Sequence, residues 1–92
     1  MTIQQRFEIF HSENPHVFQM FVSYARQAKK RGYERFSAKA IFGRLRWYSQ
    51  METDSADEWK LNNNYTSLYA RMATEQYPEF EGFFQLRERI SA

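Results

Sequence analysis

Asn14-Pro15 and Gly32 bracket the segment that most narrows what this chain can become. An Asn offers a side-chain cap, and a Pro behind it suits the first helical position, where no N–H is needed. At the far end Lys29-Lys30-Arg31 sets cations against the negative end of the dipole, and Gly32 supplies the left-handed cap. Between these limits Val17, Phe18, Phe21, Val22, Ala25 and Ala28 recur at helical spacing, with Gln19, Ser23, Arg26, Gln27 and Lys30 opposite. A helix with such a face is unstable alone, so the rest of the chain must cover it.

The flanking segments read as further helices. Thr2 caps a short one in which Ile3, Phe7 and Phe10 form an apolar face. After the extended link Tyr33–Phe36, Ser37 caps another, with Ile41, Phe42, Leu45, Tyr48 and Met51 as its buried stripe. Thr53–Glu58 is acidic and lacks periodicity, which marks a solvent loop. Trp59-Lys60-Leu61 alternates as a strand does, and Asn62-Asn63-Asn64 is a turn and cap cluster. A helix follows with Tyr65, Leu68, Tyr69, Met72, Ala73 and Gln76 on one side, and it stops before Pro78. Glu79–Gly82 makes a turn carrying Phe80. The tail Phe83–Arg89 reads either as a short strand with Phe84 and Leu86 inward or as a frayed helix.

Ninety-two residues make one domain, 1–92, with nine Phe, six Tyr and two Trp to fill its core. The order of elements describes a mainly α domain of four or so helices with a short β-hairpin, of helix-turn-helix or winged-helix type. The connection from the Ser37 helix to the Asn64 helix is about a dozen residues, longer than the three or four of a helix-turn-helix. A winged-helix variant would absorb it. No Cys is present, which excludes disulfides, thiolate metal sites and cysteine nucleophiles. No apolar run approaches the roughly 20 residues of a membrane span, and the start lacks a signal-peptide core. A soluble, cytoplasmic protein without a membrane partner is expected.

Catalytic signatures are absent from the sequence. His11 and His16 are five apart with Pro15 between them, so they do not form a helical metal pair. There is no G-x-S-x-G, S-x-x-K or phosphate-binding glycine loop, and no enzyme activity, metal or cofactor is expected. Charge says more. The net charge is only +2, yet Arg26, Lys29, Lys30, Arg31, Arg35, Lys39, Arg44 and Arg46 share 21 consecutive residues with Glu34 alone. Lys29, Arg31, Arg35, Lys39, Arg44 and Arg46 are therefore the candidate phosphate contacts to duplex DNA, expected to share one exposed face. Lys60, Asn62, Asn63, Asn64, Thr66, Ser67 and Arg71 form a polar run entering the last main helix. Asn suits adenine and Arg suits guanine, while Thr66 and Ser67 suit phosphates near a helix N-terminus. An Asn-rich turn with an ordinary cap is the structural alternative.

Arg44-Leu45-Arg46-Trp47 and the run Lys60-Leu61-Asn62-Asn63-Asn64-Tyr65-Thr66-Ser67, continuing to Tyr69-Ala70-Arg71, carry a resemblance. With Asn14-Pro15 upstream and Phe83–Arg87 downstream, the chain resembles a group of small proteins encoded in phages and prophages, from about Phe7 to Arg89. The resemblance implies a mobile-element origin and carries over no catalytic or binding residue. It raises two readings. One is a small DNA-binding regulator. The other is a protein-interaction module, a host-takeover or anti-defence factor that binds a host protein. Trp47 and Trp59, with Tyr48 and Phe83, would then form an aromatic patch, which suits an interface core and equally a homodimer.

Overall fold

The computed structural model describes residues 1–52 and 61–86. The expected loop over 53–58, with Trp59, Lys60, Arg87 and Arg89, lies outside the described residues. Four helices carry the fold: α1, Ile3–Glu13; α2, Pro15–Lys30; α3, Ala38–Trp47; and α4, Thr66–Gln76. Short turns extend them: a π-helical turn at Tyr48–Glu52 and 3-10 turns at Asn63–Tyr65 and Pro78–Phe80.

The ends of these helices are set by local chemistry. Thr2 and Gln5 form a reciprocal capping box at the start of α1. Pro15 opens α2 as expected, but Asn14 does not cap it with its side chain. Its amide instead donates to the Phe10 carbonyl, as its backbone N–H does, so Asn14 closes α1. Gly32 ends α2 at φ +98, where Gly32 N–H reaches the Lys29 carbonyl and Tyr33 N–H reaches that of Ala28. This double return is a Schellman closure. Ser37 Oγ accepts from Ala40 N–H and starts α3.

The core is a cluster of rings between α1, α2, α3 and α4. Phe18, Phe21, Val22, Ile41, Phe42 and Leu45 are buried as their spacing requires. Fully buried Tyr69 stands among Phe7, Phe21 and Phe42, with centroids at 4.8, 5.8 and 5.7 Å. Three expected faces are turned. On α4 the buried residues are Tyr69, Ala70 and Ala73, while Leu68 and Met72 are half-buried and Gln76 is exposed. Close approach of α4 to its neighbours needs small side chains, and the two alanines provide them. Past α3, Ser49 takes the buried place, four residues beyond Leu45 and seven beyond Phe42, whereas Met51 falls off that stripe and is 63% exposed. On α1 the expected face begins at Phe7, since Ile3 is exposed.

The β structure differs from the expected hairpin. Strand β1, Phe36–Ser37, pairs in parallel with β2, Phe84–Gln85, and Phe36 N–H donates to the Phe83 carbonyl at 2.9 Å. Parallel strands need a crossover, and here α3 and α4 both lie between them. Packing decides this pairing: Phe84 lies 5.2 Å from both Phe21 and Phe80, which brings the chain back to the β1 edge. In the tail Phe83 is buried, Phe84 is half-buried and Leu86 is exposed, so the inward set is Phe83 and Phe84.

Candidate nucleic-acid interface

The basic stretch runs through the last turns of α2, the link 31–35, β1 and α3. The Schellman closure turns the chain sharply after Arg31, so the end of α2 and the start of α3 are neighbours. The six candidate phosphate contacts do not form one continuous face. Lys29 is drawn to the C-terminal turn: its Nζ donates to the Glu79 carbonyl and lies 5.5 Å from the Phe80 and Phe83 rings. Two residues apart on a helix means about 200° of rotation, and Arg44 and Arg46 accordingly flank the buried stripe of α3 on opposite sides. Arg44 sits 5.5 Å over Tyr24 of α2. Arg46 donates to the Leu61 carbonyl at 3.3 Å and to Asn63 Oδ1. Arg31, Arg35 and Lys39 are exposed.

The asparagine run is largely occupied by its own turn. Asn62 Oδ1 accepts from Asn64 N–H at 2.9 Å and caps the 3-10 turn. Asn63 is the acceptor for Arg46, and its carbonyl takes the Thr66 hydroxyl at 2.8 Å. Asn64, Ser67 and Arg71 are exposed at helical spacing on the outer side of this segment. Ser67 and Arg71 line a small hollow of about 230 Å³. Of the aromatic patch, Trp47 is 54% exposed, Tyr48 is half-buried and Phe83 belongs to the core. Lys60 and Trp59 are outside the described residues.

The structure does bring Arg31 and Arg44 together. They share the rim of a groove of about 510 Å³ between α2 and α3 with Tyr24, Gln27 and Tyr33. Ala28, Phe36, Ala40 and Ile41 are the other described residues of its lining. Tyr33 is 52% exposed and makes a T-shaped contact with Phe36 at 5.1 Å and 72°. Tyr24, Tyr33 and Phe36 are not among the residues expected from sequence to form a site. Tyr33 was within reach of such reasoning, because the residue after a cap glycine folds back on the last helical turn.

A second groove, of about 440 Å³, is lined by His11, Phe18, Gln19, Arg26, Gln76 and Tyr77 among others. Its chemistry is self-satisfied at one end, where Arg26 pairs with Glu79 at 3.6 Å and lies 4.6 Å over Tyr77. His11 packs between Phe7 and Phe18, and no metal-binding group of His, Asp and Glu occurs among the described residues. No described helix is long and apolar enough to cross a membrane. No protein-family model, curated protein or solved structure matches the chain.

Proposed function

We propose that this chain is a small DNA-binding protein of phage type, which meets the sugar–phosphate backbone with the end of α2, the following link and α3. The observation that carries the reading is the meeting of Arg31, at the C-cap of α2, and Arg44, in α3, on one groove. Lys30, Arg35 and Lys39 adjoin its lining in the chain and are exposed. Such a group attracts phosphates without regard to sequence and releases counterions on binding. The helix-turn-helix reading enters here with α3 as the helix laid against DNA. Its outer side includes Lys39, Ala40, Gly43 and Arg44, and the two small residues leave room for close approach. Asn64, Ser67 and Arg71 are secondary contacts in this arrangement, while Asn62, Asn63 and Arg46 serve the turn.

Gel-shift titrations of duplex and single-stranded DNA at two salt concentrations test the proposal. Affinity should fall with salt, with a slope near −0.9 per phosphate neutralised on a duplex. Arg31→Ala with Lys39→Ala should weaken binding to every sequence and flatten that slope by about two. Absence of any shift at low salt, with the protein folded, refutes it.

Trp47 and Met51, both exposed and one turn apart, favour a second reading as a protein-interaction module. Under it Trp47→Ala abolishes a complex or a homodimer seen by sedimentation, and DNA leaves no salt-dependent trace.

A further inference from the structure

We infer that the groove between α2 and α3 holds a nucleotide of a single-stranded nucleic acid, with its base on Tyr33 and its phosphate between Arg31 and Arg44. The inference rests on the DNA-binding reading and narrows it to a substrate class.

Tyr33 is half-exposed yet held in place from two sides. Its backbone N–H is tied to the Ala28 carbonyl at 3.2 Å, and its ring packs against Phe36 in a T-shaped contact at 5.1 Å. An exposed ring fixed before binding is a stacking platform, because little side-chain freedom is lost when a base lands on it. Across the groove Arg44 is positioned over Tyr24 at 5.5 Å. A guanidinium plane accepts a base face or a phosphate equally well. The volume, about 510 Å³, falls in the range of sites for small organic ligands. A lining of apolar side chains with Arg31 and Arg44 matches a planar ring joined to an anion.

Strand rather than free nucleotide follows from the surrounding charge. Lys30, Arg35 and Lys39 are exposed beside the lining residues in the chain, against the one exposed carboxylate of Glu34, and the excess of cations is more than one phosphate group needs. They suit the phosphates on either side. Single strand rather than duplex follows from the platform, since a paired base offers its edges and hides its faces.

Fluorescence anisotropy on the full chain tests this with three labelled probes: oligo-dT, an abasic strand of equal length, and the matching duplex. The two strands carry the same phosphates, so their difference reads stacking alone. Oligo-dT should bind about ten-fold more tightly than the abasic strand and more tightly than the duplex. Tyr33→Ala should erase the difference and Tyr33→Trp should keep it, with thermal midpoints close to that of the parent chain. Arg31→Ala should weaken both strands. Equal binding of oligo-dT and abasic strand overturns the inference while leaving the backbone-contact reading standing. Failure of every probe at low salt removes both. Saturation by free thymidine monophosphate as tight as by oligo-dT would assign the groove to mononucleotides. Tighter binding of an acidic, tyrosine-bearing peptide would assign it to a protein partner. Either result also overturns the inference.

Discussion

Tyr69 shows how much a single side chain can organise and what it costs. Its ring joins the aromatic residues of α1, α2 and α3, but its hydroxyl is buried with no hydrogen-bond partner among the described residues. An unpaired buried hydroxyl opposes folding by about 1–3 kcal/mol. Burial, with a smaller contribution from Tyr65, also pushes its ionisation well above the ordinary tyrosine range. The unfolded chain therefore loses this proton near pH ~10 while the folded chain retains it. Its contribution to stability is complete below that pH and declines above it, by up to about 1.4 kcal/mol per pH unit. Tyr69→Phe is expected to leave stability at neutral pH equal or higher. It should also flatten the alkaline decline, as read from urea unfolding at pH 8 and at pH 11 (~). A loss of more than about 2 kcal/mol at neutral pH would show that the hydroxyl has a partner.

At the scale of elements, two glycines make opposite predictions. Gly43 lies inside α3 with helical backbone, and a Cβ there would meet nothing within 4 Å. Helix propensity then governs, and Gly43→Ala should stabilise the protein by about 0.5–1 kcal/mol. Gly32 has equally open surroundings but a φ of +98. Gly32→Ala should destabilise by about 1–2 kcal/mol, because a Cβ is strained in that region. Both are measured from chemical-denaturation midpoints. The contrast isolates backbone conformation from packing, since neither position is crowded. It also separates fold from contact: Gly43→Ala narrows the outer side of α3 and should weaken DNA binding even as it raises stability.

Across the whole molecule, cations act as braces as well as surface charge. Lys29 ties α2 to the Pro78–Phe80 turn, and Arg46 ties α3 to the turn that opens α4. Hydrogen bonds to charged groups contribute about 1.5–3 kcal/mol. Arg46→Ala is expected to lower stability within or somewhat below that range, since its side chain is half-buried, and to leave the salt slope of DNA binding nearly unchanged. Arg31→Ala should do the reverse. Parallel thermal melts and salt titrations of the two variants decide this. Equal effects on the slope would place Arg46 on the binding surface after all.

Local chemistry wrote the helix ends into the chain. Pro15, Gly32, Ser37 and Pro78 act through their own φ preferences, caps and missing donors, so their effect is readable without a partner. The buried faces of α2 and α3 were legible for the same kind of reason, because an apolar stripe at period 3.6 has one way to turn. Tertiary structure decided what depends on residues far apart in sequence. On α4 the polar hydroxyl of Tyr69 and the smallness of Ala70 and Ala73 gave a weak stripe, and the neighbouring rings chose the face. The return of Phe84 to Phe21 made a parallel strand pair where local alternation suggested a hairpin. The basic stretch was plain as a run of charge. Which cations face solvent and which brace the fold depended on where Glu79, Leu61 and Asn63 came to lie. The groove itself exists only because Tyr24 and Arg31 of one segment meet Arg44 of another, and spacing within either segment carries no trace of that meeting.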